Sequence, residues 1–117
     1  MVATLHGSSP EVIYVTGHLD ATSGTAELCA PGADDNASGI SVLTEAIRVL
    51  AASDFRPAKT IQFMGYAAEE VGLRGSAEIA KDYKRRGVNV EGVAQFDMTN
   101  FAGSGDKIFM VTDFTDA

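Results

Sequence analysis

The chain has 117 residues, 45% of them hydrophobic, with a net charge of −7 and one cysteine, Cys29; this length fits a single domain over residues 1–117. The acidic balance argues against nucleic acid as a partner, because phosphate binding wants a basic face, and no apolar run is long enough to span a membrane. One cysteine rules out an internal disulfide and a thiolate zinc cluster, so any metal must be held by histidine and carboxylates.

The first stretch, "VATLHGSSPE", reads as a short strand and a turn, with Ser-Ser-Pro as the breaker. No basic segment followed by an apolar one precedes it, so no signal peptide is expected in this chain. "EVIYVTGHLD" is apolar and β-branched, then polar. It predicts a buried strand over about residues 11–17 that delivers His18 and Asp20 at its end. The two strands together predict a hairpin at one side of a sheet. Residues 19–36 are rich in Gly, Thr, Ser and Ala and read as a loop.

In "ASGISVLTEAIRVLAASD", Ile40, Leu43, Ile47 and Leu50 recur at helical spacing, while Glu45 and Arg48 fall off that stripe. The pattern predicts an amphipathic helix over roughly residues 37–52, with Asp35, Asn36 or Ser38 as its cap. "TIQFMGYA" predicts the next strand, ending at Glu69 and Glu70. "SAEIAKDYKRRG" predicts a second helix, with Lys84, Arg85 and Arg86 as a solvated basic end and Gly87 as its stop. "VEGVAQFDM" predicts a third buried strand ending at Asp97, and "GSGDKIFMVTD" a turn and one more strand. Helices alternating with strands imply an α/β fold in three layers, α/β/α, around a mixed, mostly parallel sheet.

His18, the Glu69–Glu70 pair and Asp97 each follow a buried strand, and "GADDNASG" puts Asp34 and Asp35 before a helix that follows one. In an open α/β sheet these positions share one rim, the C-terminal ends of the strands, where ligands bind. Taken singly, each has an ordinary reading as a strand end, a solvated pair, a cap or a turn residue. Taken together, one histidine and several carboxylates without cysteine suit a hard-to-borderline metal. A divalent cation would offset their mutual repulsion. Alternate residues of an extended segment point the same way. Asp20 is therefore expected to reach the ring nitrogen of His18 that the metal does not use.

"GHLDATSG", "APGADDNASGISVLTEAIRVL", "FMGYAAEEVGLRGS" and "FDMTN", in this order, resemble the bacterial secreted leucyl aminopeptidases, which are co-catalytic di-zinc exopeptidases. The resemblance implies that His18 and Asp97 are ligands of one zinc, that Asp35 bridges two, and that Glu70 is a ligand of the second. It also implies Glu69 as general base, Asp20 as the partner of His18, and a cis peptide at Asp35–Asn36. Asp34 is then a structural or capping neighbour. The implied substrate is a peptide with a free N-terminus, the implied reaction is hydrolysis of its first residue, and the implied location is extracellular.

The same resemblance implies a further histidine ligand for the second zinc, beyond "FDMTN". The only other histidine here is His6. The chain corresponds to the central part of such a catalytic domain, truncated to less than half of it. One well-held zinc per chain is therefore expected, and self-association into a homo-oligomer through uncovered strand edges. Two further readings stay open. One is a catalytically impaired or inert core that serves folding or assembly; the other is a related amidohydrolase or cyclase.

Overall fold

The computed structural model describes residues 1–25 and 29–101. In chain order its elements are β1 (Val2–Leu5), β2 (Ser9–His18), α1 (Ala37–Ala52), β3 (Lys59–Tyr66), α2 (Arg74–Arg86) and β4 (Val90–Gln95). The strand expected within "GSGDKIFMVTD" lies outside the described residues.

The four strands form one sheet in the order β1-β3-β2-β4. β3 and β4 run parallel to β2, and β1 runs antiparallel to β3. Successive side chains of a strand point to opposite faces, so β2 reads out both layers around the sheet. On one face, Tyr14 meets Tyr83 of α2, with ring centroids 5.3 Å apart. There Val12, Tyr14, Met64 and Tyr66 form the buried core, and Ile79, Tyr83 and Val88 pack on it. On the other face, a Cβ at Gly17 would stand 3.3 Å from Ile40 of α1. The chain is thus an α/β/α sandwich with a mixed sheet, as its alternation of helices and strands implies.

The expected helix over residues 37–52 forms as read. Leu43 of its apolar stripe is fully buried, while Arg48 grips Glu45 in an exposed ion pair at 2.7 and 2.6 Å. At the basic end of α2, Arg85 and Arg86 both pair with Asp82. Gly87 then ends the helix in the left-handed conformation, φ 65°. No helix among the described residues is long and apolar enough to cross a membrane.

Two expectations are corrected. β1 and β2 do not form a hairpin, because β3 lies between them. The link from β1 to β2 crosses the start of β3: the Gly7 N–H donates to Thr60 Oγ1 at 3.1 Å and the Ser9 N–H to the Ala58 carbonyl at 2.9 Å. A Cβ at Gly7 would stand 2.4 Å from Lys59 C and 2.6 Å from Ala58 O. Only glycine permits that crossing. The second correction concerns β4, which is not a buried strand. It pairs with β2 on one side, and Val93 is 60% exposed.

Candidate functional site

The rim at the C-terminal ends of β2, β3 and β4 gathers the predicted residues. β2 ends in His18, which is 1% exposed. Its Nε2 stands 2.9 Å from Asp35 Oδ1 and 3.6 Å from Asp97 Oδ1. One ligand atom from each of these three residues lies within 4.8 Å of the others. A tetrahedral zinc with ligands at roughly 2.0–2.1 Å sets its ligand atoms about 3.3 Å apart, a value the two measured distances straddle.

The other ring nitrogen of His18, Nδ1, stands 3.0 Å from the Asp20 carbonyl oxygen. A carbonyl only accepts, so Nδ1 carries the proton and the Nε2 lone pair is left for a metal. One imidazole and two carboxylates around a common point suit zinc. In the metal-free site, burial lowers the His18 pKa, but Asp97, the Asp20 carbonyl, Glu69 and Asp35 outweigh it and hold the imidazole above its ordinary value.

Asp20 differs in detail from its expected part. The chain turns after His18, so the Asp20 backbone carbonyl, not the carboxylate, meets the ring. The carboxylate stands farther from Nδ1, at 3.7 Å. It serves the loop after β3 instead: Oδ1 accepts from the Glu69 N–H and Oδ2 from the Glu70 N–H, each at 3.0 Å. Burial opposes its charge, but these two donors hold its pKa below the usual carboxylate range. Asp20 therefore ties the end of β2 to the loop that follows β3.

That loop is a tight turn. The Glu69 carbonyl accepts from the Gly72 N–H at 2.9 Å and the Leu73 N–H at 2.8 Å. Glu69 faces the acidic cluster. Its pKa is raised by burial, and Asp97, Glu70 and Asp35 add to the rise against the opposing pull of His18. Glu70 is not one of the three clustered residues; its Oε1 accepts from the Thr22 N–H at 3.1 Å. His6 is exposed in the turn before β2. It adjoins Gly7, which bonds to Thr60, and Thr60 is in register with Val12; about six residues of strand, roughly 20 Å, therefore separate its level from that of His18.

The segment before α1 supplies Asp35 to the cluster. The Asp35–Asn36 peptide is cis, as the resemblance implies. Asp34 Oδ1 accepts from the Asn100 N–H at 3.0 Å and the Asp34 carbonyl from Ser38 Oγ at 2.6 Å, so it is the structural neighbour expected. Asn36 is the cap of α1, its Oδ1 accepting from the Gly39 N–H at 3.0 Å. The same side chain also bonds to Phe96 and Met98, on either side of Asp97. That second use was not legible. An Asn before a helix signals a cap, and nothing local in the sequence points sixty residues onward.

Comparison with known proteins points to one family. The model of peptidase family M28 matches residues 1–117. The chain is 38% identical to leucine aminopeptidase 1 of Uncinocarpus reesii, over 99% of its own length and 32% of that protein. Against leucine aminopeptidase 1 of Pyrenophora tritici-repentis it is again 38% identical, over 99% of this chain and 33% of that one.

Among solved structures, LapB of Legionella pneumophila superposes with a TM-score of 0.74 at 31% identity, covering 90% of this chain and 33% of LapB. The LapA aminopeptidase of the same organism gives 0.70 at 34% identity, covering 84% and 26%. The chain spans about a third of the length of the leucine aminopeptidases it matches. The family match over its full length and the shared fold lead to one conclusion: the chain belongs to peptidase family M28.

Proposed function

We propose that this chain is the metal-binding core of a zinc aminopeptidase, which hydrolyses the first residue from peptides with a free N-terminus. The observation that carries the reading is the convergence of His18 Nε2, Asp35 and Asp97 from three separate segments onto one point. The aminopeptidase names of the relatives support the reaction class.

His18, Asp35 and Asp97 would hold one zinc, and Asp35 and Glu70 would contribute to a second. Zinc there supplies Lewis acidity, polarising a peptide carbonyl and acidifying water toward a pKa of about 7. Glu69 takes the proton from the attacking water and passes it to the leaving amine, while the hydroxide equivalent bonds to the carbonyl carbon as the C–N bond breaks. Without metal, burial raises its pKa, the direction that strengthens a carboxylate as a base. Asp20 holds the Glu69 backbone in place through its N–H. The acidic rim favours the ammonium of a peptide's first residue over the neutral backbone of an internal one. Secretion belongs to the same reading and is supported by the motif resemblance.

The test is hydrolysis of leucine p-nitroanilide by the chain with zinc, with chelator, and with zinc restored. The reading expects activity that disappears with chelator and returns with the metal. Activity indifferent to chelator would sink the zinc reading. A folded, zinc-loaded chain without activity would favour an inert core.

A further inference from the structure

We infer that Asn36 is a positioning residue that sets Asp97 against His18 and Asp35, beyond its service as a helix cap. The inference rests on the metal reading above and concerns what keeps one of its ligands in place.

β4, which leads to Asp97, is poorly anchored by packing. It is an edge strand among the described residues, with Val93 60% exposed. Its last tie to the sheet is the Phe96 N–H, which donates to the Thr16 carbonyl at 2.8 Å. Beyond it, Met98 takes a left-handed conformation at φ 47°. Asp97 thus stands where the chain leaves the sheet.

Asn36 closes on both sides of that point. Its Nδ2 donates to the Phe96 carbonyl at 2.9 Å and its Oδ1 accepts from the Met98 N–H at 3.4 Å. The side chain is 2% exposed, so these bonds are sheltered from competing water. The next residues follow the same path: Thr99 N–H donates to Ser38 Oγ at 2.9 Å. The approach is close enough that a Cβ at Gly39 would stand 2.3 Å from both Asn36 Oδ1 and the Phe96 carbonyl oxygen. Asn36 is also bonded in sequence to Asp35. One residue therefore fixes the spacing between two of the three clustered carboxylate and imidazole groups.

The chemistry of the side chain separates the two duties. A helix cap needs only an acceptor, which serine supplies as well as asparagine. The Nδ2 donor has no part in capping and is spent wholly on Phe96. Serine at this position keeps an acceptor for Gly39 but is too short, and lacks the second polar atom, to span to β4.

The experiment titrates the full, metal-free chain with cobalt(II), following the visible d–d absorption, and records the denaturant midpoint of each metal-free protein. It compares wild type, Asn36→Ala and Asn36→Ser. Serine is expected to recover the capping share of the midpoint that alanine loses. Both variants are expected to bind cobalt about 10–100-fold more weakly than wild type, as loss of partners around a metal ligand typically does, with an altered band shape. Wild-type cobalt affinity and band shape in Asn36→Ser would overturn the inference and leave Asn36 a cap alone. A folded wild type with no cobalt band would overturn the metal reading itself, and this inference with it.

Discussion

The two halves of the rim are built in different ways. On the β2–β3 side, Thr16, His18 and Met64 are almost wholly buried, and the sheet pairs continuously from Ile13 and Ile61 to His18 and Tyr66. On the β4 side, Val90 and Val93 stand in solvent and Asp97 is reached only after the strand has ended. The first half holds His18 by packing, with Asp20 tying on the loop of Glu69 and Glu70. The second holds them by hydrogen bonds from the α1 N-terminus, through Asp34, Asn36 and Ser38. A shared site can thus draw ligands from a stiff region and from a tethered one, and changes in the two should fail differently.

The sharpest change touches neither support. Glu69→Gln keeps the backbone N–H that Asp20 accepts and removes only the base. Activity on leucine p-nitroanilide should fall by about 10²–10⁴-fold with zinc content unchanged in metal analysis; an undiminished rate would remove Glu69 from the mechanism. The packing contrast comes next. Met64→Ala, at a buried position of β3, should cost about 2–5 kcal/mol in denaturant unfolding. Val93→Ala on the exposed strand should stay within roughly 0.5 kcal/mol. Equal costs would erase the distinction between the halves.

Asp20→Asn is a smaller change, because the amide keeps one acceptor oxygen for the two N–H groups of Glu69 and Glu70. It should lower activity about 10–100-fold, with zinc binding less affected, since the Asp20 carbonyl still meets His18. A variant that loses zinc as completely as His18→Ala would show that the carboxylate supports the ligand and not the loop. The metal count is a finer test. The chain should retain one zinc after dialysis against limiting metal, because Asp35 and Glu70 alone make a weak second site. Two tightly held ions would show that the second site has a further ligand beyond Asp35 and Glu70. The exposed β4 edge leads to the mildest effect, concentration-dependent self-association in light scattering, and a strict monomer at high concentration would contradict it.

Much of this was legible because it is local. The spacing of Ile40, Leu43, Ile47 and Leu50 sets α1, and the apolar runs before His18 and Glu69 set the two central strands and the rim they share. Pairing was less legible. Whether β1 joins β2 or β3 depends on a backbone crossing at Gly7, and a Ser-Ser-Pro turn reads the same in either case. The exposure of β4 was equally hidden, since an apolar strand carries no mark of which neighbours cover it. For Asp20, alternation predicted nearness to His18 correctly, but a bend after the strand exchanged carbonyl for carboxylate. Asn36 was visible only as a cap, because its other partners come from the far end of the described chain.

The position of β3 between β1 and β2 also governs how the sheet must be made. Val2 pairs with Met64, Ser9 with Lys59 and Val12 with Val90, so every strand pair joins residues about fifty or more positions apart. No hairpin exists among the described residues to close early and template the others. Among the described residues, β1 and β2 gain their first strand partner only when β3 forms. Such non-local pairing makes folding slow, and it makes β3 the strand through which β1 joins the rest of the described sheet.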